Sequence, residues 1–272
     1  MIHFCLITDD GYVDMTKNCI NSILRSKNYD TEISFHLILK SVSDANKAKL
    51  KALPGTIIYD ASKWIEQIEQ FPACVHVNNT ALLKFYIPEI LTSLSKVVYI
   101  DGDTYVCRDL SPVYNTDIGS NYVAAVKDFG LLTVWRHESL PNVKENRYFQ
   151  SSLMVMNLPL MRSTNLAAKL MECKQEKYFN KGCMDQDVLN DIIQDRAVYL
   201  PPKYCVPIHK MILYGKEFID INLINKTYGT TYKNMFEYIL DAAILHFHGS
   251  KQVLENNPYL KDFLVYCRRR DK

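Results

Sequence analysis

Short apolar runs alternate with segments of helical spacing along the first sixty residues, and this alternation limits the fold more than any other feature. The run 2–8 is followed by apolar residues at helical spacing over 15–24, and the runs 33–39 and 56–59 flank a helix capped by Ser43. Strands that alternate with helices build βαβ units, whose strands are parallel. The sequence therefore predicts an α/β fold with a mainly parallel sheet.

The rest of the chain continues this pattern less regularly. The segment 81–91 has helical spacing but contains Pro88, so we expect the helix to bend or stop near that residue. A further helix is expected over 185–193, with Asp185 as its N-cap. The stretch 201–238 has weak periodicity and allows no assignment. Four more apolar runs are expected to be strands: 96–100, 123–126, 152–156 and 244–246.

Length and charge limit the function. A chain of 272 residues without repeats, low-complexity tracts or linkers is expected to form one domain over 1–272. A net charge of +2 argues against a nucleic-acid-binding protein, which needs a basic stripe. The one dense basic cluster, 268–270, is interpreted as a short solvated C-terminal tail.

The sequence also predicts a compartment. It contains no run of eighteen apolar residues, so no membrane span is expected, and its opening MIHFCLITDD lacks the basic start of a signal peptide. Its eight cysteines are scattered and form no CxxC pair. We expect reduced thiols, most of them packed in the interior, and a cytoplasmic location.

The sharpest polar feature is a pair of carboxylates, Asp101 and Asp103, which follow the apolar run 96–100 with Gly102 between them. In open α/β sheets, ligands bind outside the carboxyl ends of the strands. Two carboxylates there can hold a divalent cation that bridges a diphosphate, and Gly102 lets the backbone approach the ligand. The alternative is a polar turn with both aspartates in water.

His246, at the end of the last apolar run, is a candidate third ligand. A histidine beside two carboxylates suits Mn²⁺ better than Mg²⁺, which prefers oxygen alone. A histidine after a strand is also an ordinary surface or core residue, and His248 remains an alternative ligand.

Other polar residues are ambiguous on their own. Asp185 and Gln186 begin a helix, where acidic residues are common; Lys84 is consistent with a solvent-facing lysine; and the segment 9–12 is consistent with a simple turn. No GxGxxG, P-loop or GxSxG motif is present, so the usual support for dinucleotide-binding, NTPase and hydrolase functions is missing.

Taken in order, these segments resemble glycosyltransferase family 8, which includes glycogenin and bacterial lipopolysaccharide galactosyltransferases. Several blocks in the family's order and at its separations are far more specific than the paired aspartates alone. The matching blocks are ITDDGY (7–12), LLKFYIPEIL (82–91), KVVYIDGD (96–103), YFQSSLMVMNL (148–158), MDQDVLN (184–190), LPPKY (200–204) and LHFHGSK (245–251).

The resemblance implies a GT-A type nucleotide-diphospho-sugar transferase fold: a twisted, mainly parallel sheet with helices on both faces. It implies a UDP-sugar donor, UDP-glucose or UDP-galactose, and transfer with retention of the anomeric configuration. It also implies a Mn²⁺ ion, with Mg²⁺ as the alternative, held by Asp101, Asp103 and His246.

The same resemblance assigns roles to individual residues. Asp185, Gln186 and Lys84 match residues that face the transferred sugar and its phosphates, and are the catalytic candidates. Tyr12 matches a residue that stacks on uracil. The donor-binding candidates are Thr8, Asp9, Tyr12, Lys84, Asp101, Gly102, Gln150, Ser151, Gly249 and Lys251.

Two positions depart from the family pattern. Gln150, Ser151 and Ser152 stand where members usually have Asn-Ala-Gly or Asn-Ser-Gly, and glutamine is one methylene longer than asparagine. Lys251 follows His246 by five residues where the family has a lysine at six, followed by Pro-Trp. Either the loop is one residue shorter and Lys251 still reaches the diphosphate, or this contact is lost.

The acceptor remains open. Gln186 carries an amide, which is a poor nucleophile, so same-face attack through an oxocarbenium-like ion is favoured over a covalent intermediate. The acceptor is a separate glycan, lipid or protein, or the chain glucosylates its own tyrosine as glycogenin does, with Tyr228 and Tyr232 as candidates and a homodimer as one route. A third hypothesis is a non-catalytic nucleotide-sugar-binding module.

Overall fold

The structure is a computed structural model that describes residues 1–72, 78–129, 136–140, 142–144, 146–174, 178, 183–208 and 219–247. The strands in this part are β1 (Ile2–Asp9), β2 (Ile33–Lys40), β3 (Thr56–Asp60), β4 (Lys96–Ile100), β5 (Thr104–Val106), β6 (Val123–Lys127), β7 (Phe149–Asn157), β8 (Ala197–Tyr199) and β9 (Ile244–His246).

The helices of the described part lie between and after these strands. The α-helices are α1 (Val13–Ser26), α2 (Asp44–Lys51), α3 (Ser62–Glu69), α4 (Ile87–Ile90), α5 (Ser111–Tyr114), α6 (Arg136–Ser139), α7 (Leu158–Ser163), α8 (Leu166–Met171), α9 (Asp185–Ile193), α10 (Ile221–Tyr228) and α11 (Met235–Leu240). Short 3-10 helices span Asp10–Tyr12, Asn79–Tyr86 and Pro202–Tyr204.

Seven strands form one sheet in the order β3-β2-β1-β4-β7-β6-β8. All neighbouring pairs in it are parallel except those of β7, which runs antiparallel to both β4 and β6. The prediction of a mainly parallel sheet is confirmed, although β7 makes the sheet mixed. A second, two-stranded sheet pairs β5 with β9 antiparallel.

The sheet separates two apolar layers, because alternate side chains of a strand face opposite sides. In β4, Val97 and Tyr99 belong to the apolar cluster that includes residues of α7, α8 and α9, whereas Val98 and Ile100 belong to the cluster that includes residues of α1. All of these β4 side chains are at most 2% exposed. Helices therefore cover both faces of the sheet, as predicted.

The predicted change near Pro88 is confirmed, whereas one capping prediction needs correction. A 3-10 helix ends at Tyr86, and Pro88 lies in the first turn of the short helix α4, where no backbone N–H is needed. Asp185 is not an N-cap but the first helical residue of α9, and no side chain caps that end. Ser43 does cap α2, since its Oγ accepts a hydrogen bond from the Asn46 N–H.

The stretch 201–238, which sequence periodicity left unassigned, packs with residues of β5 and β9 in a third apolar cluster. Its helices are short and are started by side chains: Asp220 accepts from the Asn222 N–H at 2.8 Å, and Asn234 accepts from the Glu237 N–H at 3.0 Å.

The cysteines of the described residues are all free thiols, and five of these six are buried. Cys74, Cys267 and the basic cluster 268–270 lie outside the described residues. Within the described ranges, no helix is both long and apolar enough to cross a bilayer.

Candidate active site

Polar side chains collect at one edge of the large sheet. The carboxyl ends of β1, β4, β6 and β8 meet there, and because β7 runs the other way its first residues lie at the same edge. This brings Asp9, Asp101 and Asp128, each at or just after a strand end, to the edge where Gln150 and Ser151 begin β7.

Asp101 and Asp103, in the turn between β4 and β5, form a cluster with His246, the last residue of β9. One ligand atom from each lies within 4.8 Å of the others, and His246 Nε2 is 3.4 Å from Asp103 Oδ1 and 3.9 Å from Asp101 Oδ2. The β5–β9 pairing explains this meeting, since it sets His246 directly opposite Thr104. Two carboxylates and one imidazole are a donor set that fits a divalent cation such as Mn²⁺.

The electrostatics of this cluster also suit a cation. Burial alone would lower the pKa of His246, but the facing Asp103 carboxylate raises it well above its ordinary value. Burial raises the pKa of the Asp101 carboxyl, and the charge of Lys84 does not fully offset this effect. The cluster therefore concentrates negative charge that a proton on His246 balances, and a bound cation would displace that proton.

Asp101 is held from two sides. The Tyr99 hydroxyl donates to Asp101 Oδ1, and Lys84 Nζ lies 3.3 Å from the same oxygen and 5.0 Å from the centre of the Tyr99 ring. Tyr99 was not predicted as a site residue. It lies two residues before Asp101, so the strand alternation could have indicated it.

Lys84 is not the solvent-facing lysine of the simplest interpretation. It is 3% exposed, and its Nζ lies 2.7 Å from Asp185 Oδ2 and 3.3 Å from Ser151 Oγ. Ser151 Oγ in turn donates to Asp185 Oδ2 at 2.8 Å. Burial tends to lower the pKa of Lys84, but the carboxylates of Asp101 and Asp185 outweigh it and raise the pKa, so the ammonium stays charged.

The Gln186 amide bridges two strands. Its Oε1 accepts from the Ser151 N–H at 3.0 Å, and its Nε2 donates to Asp128 Oδ2 at 2.9 Å. Asn190, one turn later on α9, exchanges hydrogen bonds with the backbone of Phe149 at 2.8 and 2.9 Å. Asp128 and Asn190 were not predicted; the position of Asp128 directly after β6 was the available signal.

Asp187 is a structural residue of α9. It is fully buried and accepts from the Tyr148 hydroxyl at 2.6 Å and from the Cys183 N–H at 2.7 Å. These contacts fix the start of α9, and with it Asp185 and Gln186, against β7.

The first motif, ITDDGY, lies beside the paired aspartates. Asp9 Oδ1 accepts from the Tyr12 N–H at 3.1 Å, and buried Thr8 accepts from Thr16 Oγ1 at 3.0 Å. Burial raises the pKa of Tyr12 to about 12, and the negative charges of Asp103 and Asp101 add to that shift. Thr16 connects this motif to the turn of the paired aspartates, because it donates to Thr8 and its Oγ1 would lie 2.8 Å from a Cβ on Gly102.

Gln150 is buried rather than open to the edge. Its Oε1 accepts a hydrogen bond from the Cys205 thiol, whose sulfur also lies 3.1 Å from Ser152 Oγ and 3.9 Å from His246 Nδ1. Cys205 was not predicted, and no sequence pattern singles it out.

Comparison with known proteins decides the family. The sequence model of "Glycosyl transferase family 8" matches residues 3–252, which is most of the chain. The chain belongs to glycosyl transferase family 8. It is therefore a glycosyltransferase, as its resemblance implied.

Among its relatives, General stress protein A of Bacillus subtilis is 25% identical over 98% of this chain and 93% of its own length. Lipopolysaccharide 1,3-galactosyltransferase of Salmonella typhimurium is 20% identical over 65% of this chain and 55% of its own. Glycosyltransferase GlyA of Streptococcus pneumoniae is 25% identical over 80% of this chain but 29% of its own length, so the chain spans only part of several relatives.

Solved structures agree on the fold. Galactosyltransferase LgtC, in complex with donor and acceptor sugar analogues, superposes with a TM-score of 0.73 at 20% identity, covering 99% of this chain and 96% of LgtC. The WbbM bifunctional glycosyltransferase gives a TM-score of 0.72 at 21% identity, covering 98% of this chain and 51% of WbbM. The family 8 chain thus has the predicted GT-A fold.

Most of the residues to which the family resemblance assigned roles meet at this edge. Gly249, Lys251 and His248 lie outside the described residues. The candidate self-acceptor Tyr228 is half-buried, and its hydroxyl accepts from the Lys127 N–H at 3.0 Å. Tyr232 is also half-buried, and its hydroxyl donates to Asp241 at 2.7 Å.

Proposed function

We propose that this family 8 glycosyltransferase moves a hexose, glucose or galactose, from a UDP-sugar to an acceptor with retention of configuration, and that it requires Mn²⁺ or Mg²⁺. One observation carries the proposal. The cluster of Asp101, Asp103 and His246 and the network of Lys84, Asp185 and Gln186 lie side by side at the sheet edge, joined by the 3.3 Å contact of Lys84 with Asp101.

In this proposal Asp101, Asp103 and His246 hold the divalent cation. When bound, it supplies positive charge that stabilises the diphosphate as a leaving group. Tyr12 and Asp9, beside the cluster, then contact the uridine end of the donor. The names of two relatives, a lipopolysaccharide 1,3-galactosyltransferase and the galactosyltransferase LgtC, favour galactose as the first sugar to test.

Lys84 serves two purposes in the reaction. Its ammonium is buried and already paired, so it is oriented before the donor arrives and costs little reorganisation when charge develops on the phosphates. Its contact with Asp185 also fixes that carboxylate, since Asp185 Oδ2 accepts from both Lys84 and Ser151. A carboxylate oxygen with two donors is a weakened nucleophile, which supports same-face attack over a covalent intermediate.

Gln186 acts on the sugar rather than on the nucleotide. Its amide is fixed at both ends, by the Ser151 N–H and by Asp128, so its dipole is preorganised next to Asp185. A preorganised dipole stabilises the positive charge that develops at the anomeric carbon. The departing phosphate oxygen takes the acceptor's proton, and no further base is required.

The test is release of UDP from UDP-galactose and UDP-glucose, with Mn²⁺, with Mg²⁺ and with EDTA, and with GDP-mannose as the donor control. Cation-dependent release from a UDP-hexose, lost in Asp103→Asn, is expected. Binding of UDP without any turnover of either donor would instead favour the non-catalytic nucleotide-sugar-binding module. The configuration of the product, determined by NMR, decides retention.

Self-glucosylation is the second candidate, and one contact favours Tyr228 over Tyr232. The Tyr228 hydroxyl binds the Lys127 N–H, one residue before the Asp128 that holds Gln186, whereas Tyr232 is turned to Asp241. Both hydroxyls are engaged, and these contacts would have to open, so a separate glycan, lipid or protein acceptor is favoured. Intact mass after incubation with UDP-glucose and Mn²⁺ tests this: a hexose gain lost in Tyr228→Phe supports self-transfer.

A further inference from the structure

A buried thiol connects the candidate metal cluster to the start of β7. Cys205 is 2% exposed, and its sulfur contacts three polar side chains that are each less than 9% exposed, Gln150, Ser152 and His246. None of the roles argued above for metal or sugar binding uses this sulfur. Burying so many polar atoms together is unfavourable unless their hydrogen bonds are satisfied.

The backbone keeps the sulfur in place. Residues before and after Cys205 are hydrogen-bonded to β9 and the residue before it. The Ala243 N–H donates to Lys203 O at 2.8 Å, and the His246 N–H donates to Val206 O at 2.8 Å. The backbone around Cys205 is therefore fixed to the strand that carries His246.

The hydrogens of this group determine one arrangement. A thiol has a single hydrogen, and Gln150 Oε1 can only accept, so the thiol donates to Gln150. Towards His246 Nδ1 the sulfur can then only accept, which requires a hydrogen on Nδ1. A neutral imidazole with its hydrogen on Nδ1 presents the lone pair of Nε2, the atom that faces Asp103 at 3.4 Å.

We propose that Cys205 is a positioning residue of the metal site: its sulfur holds the His246 imidazole in the tautomer and orientation that bind a cation, and its hydrogen holds the Gln150 amide. Metal-binding histidines generally donate their second ring N–H to a carboxylate, a backbone carbonyl or a water, and loss of that partner weakens metal binding about 10- to 100-fold. Here the Cys205 sulfur takes the place of that acceptor. The inference rests on the proposed function, because it assumes that Asp101, Asp103 and His246 bind the ion.

The test measures Mn²⁺ binding directly, by electron paramagnetic resonance of free Mn²⁺ with and without UDP, in the full-length chain. Cys205→Ala should raise the Kd for Mn²⁺ about 10-fold. Cys205→Ser keeps one hydrogen and one acceptor and should recover part of the affinity. Cys173→Ala removes another buried thiol, which contacts Lys169 O, and should leave the Kd unchanged.

The outcomes separate this inference from the proposed function. No Mn²⁺ binding by the wild-type chain would overturn the metal site and this inference together. Wild-type binding with an unchanged Kd in Cys205→Ala, or an equal loss in Cys173→Ala, would overturn this inference alone. If Cys205→Ala fails to fold, Cys205→Val decides, because valine fills a similar volume but makes no hydrogen bond to Gln150 or His246: wild-type Mn²⁺ affinity in Cys205→Val would assign the thiol to packing only and overturn this inference, whereas a raised Kd supports it.

Discussion

Lys84 Nζ lies 2.7 Å from Asp185 Oδ2, and this contact joins two segments that are 101 residues apart in the chain. Both side chains are at most 6% exposed, and Asp101 completes a triad of charges around the lysine. A buried charge without its partner is far more costly than a pair, so each member of this triad depends on the others.

The first prediction follows from that triad. Lys84→Met leaves the buried Asp185 and the partly buried Asp101 without a cation and should lower the free energy of unfolding by about 3 kcal/mol. The double variant Lys84→Met/Asp185→Asn removes one of the two charges and should recover part of the loss, although both variants lose transfer. Urea denaturation measures this, with Lys51→Met, on the exposed side of α2, as the control. A Lys84→Met protein as stable as wild type would contradict the burial argument.

The second prediction concerns the metal cluster. Asp103→Asn keeps the size of the side chain but removes its charge, so Mn²⁺-dependent UDP binding and transfer should both disappear while the fold persists. His246→Ala should act similarly, since its Nε2 faces Asp103. Calorimetric titration of UDP with and without Mn²⁺ measures the effect, and exposed Asp44→Asn is the matched control. Activity retained in Asp103→Asn would show that Asp103 is not a metal ligand. Activity lost in His248→Ala but kept in His246→Ala would assign the third ligand to His248.

The third prediction separates binding from chemistry. Gln186→Ala should slow transfer by two or more orders of magnitude and barely change the Kd for UDP, because the amide acts on the developing charge of the sugar. Asp128→Asn should have a smaller effect of the same kind, since it weakens only the support of the Gln186 amide. Steady-state kinetics measures the effect on transfer, and a UDP competition experiment measures the effect on nucleotide binding. A covalent sugar adduct on Asp185 would exclude the same-face mechanism.

How much of this site was predictable depends on how far apart its parts lie in sequence. The paired aspartates follow a single apolar strand, so strand periodicity and the rule for sheet edges predicted them. The pairing of β5 with β9, which brings His246 to the aspartates, could not be derived from strand periodicity, because each strand has only three residues. Its place at the end of an apolar run made His246 a candidate ligand but left His248 and an ordinary core role open, and the resemblance to family 8 favoured His246.

The residues that were not predicted are those whose contacts come from segments distant in the sequence. Cys205 follows a short 3-10 helix in a region without periodicity, and its partners Gln150 and His246 come from β7 and β9. The antiparallel direction of β7 was not predicted for a similar reason: strand direction depends on the connection, and the apolar run in β7 looks the same in either direction. Local patterns therefore predicted the scaffold, whereas long-range pairings completed the site.

The fourth prediction tests the close approach at Gly102. A Cβ added there would lie 2.8 Å from Thr16 Oγ1, which donates to Thr8. Gly102→Ala should therefore displace the turn that carries Asp101 and Asp103 and weaken Mn²⁺–UDP binding, with an overpacking cost of about 1–3 kcal/mol in stability. The double variant Gly102→Ala/Thr16→Ala removes the clashing oxygen and should bind better than Gly102→Ala alone. Thr16→Ala by itself measures the loss of the Thr8 contact, and no recovery in the double variant would reject the clash.

The last prediction concerns a histidine pair on β1 and β2. His36 is 3% exposed, with Nε2 3.0 Å from His3 Nδ1 and Nδ1 2.9 Å from the Tyr59 hydroxyl. Burial, reinforced by His3, lowers the pKa of His36 to about 4 from an ordinary value of 6.5. The folded chain therefore holds His36 neutral, while the unfolded chain takes up a proton below about pH 6.5. The free energy of unfolding is therefore unaffected by protonation of His36 well above pH 6.5, and it decreases as the pH falls from 6.5 towards 4, because only the unfolded chain takes up this proton.

Between pH 7 and pH 5 the loss assigned to His36 should be about 2 kcal/mol, since one pKa unit corresponds to about 1.4 kcal/mol. Urea denaturation at both values of pH measures it, and the comparison with His36→Gln isolates this residue from carboxylates that titrate in the same range. His36→Gln should be less stable at pH 7 but lose less stability on acidification. Tyr59→Phe leaves His36 in place, so its free energy of unfolding should fall with decreasing pH almost as steeply as that of the wild type. Equal dependence of stability on pH in wild type and His36→Gln would show that folding leaves the pKa of His36 unchanged, and would reject the prediction.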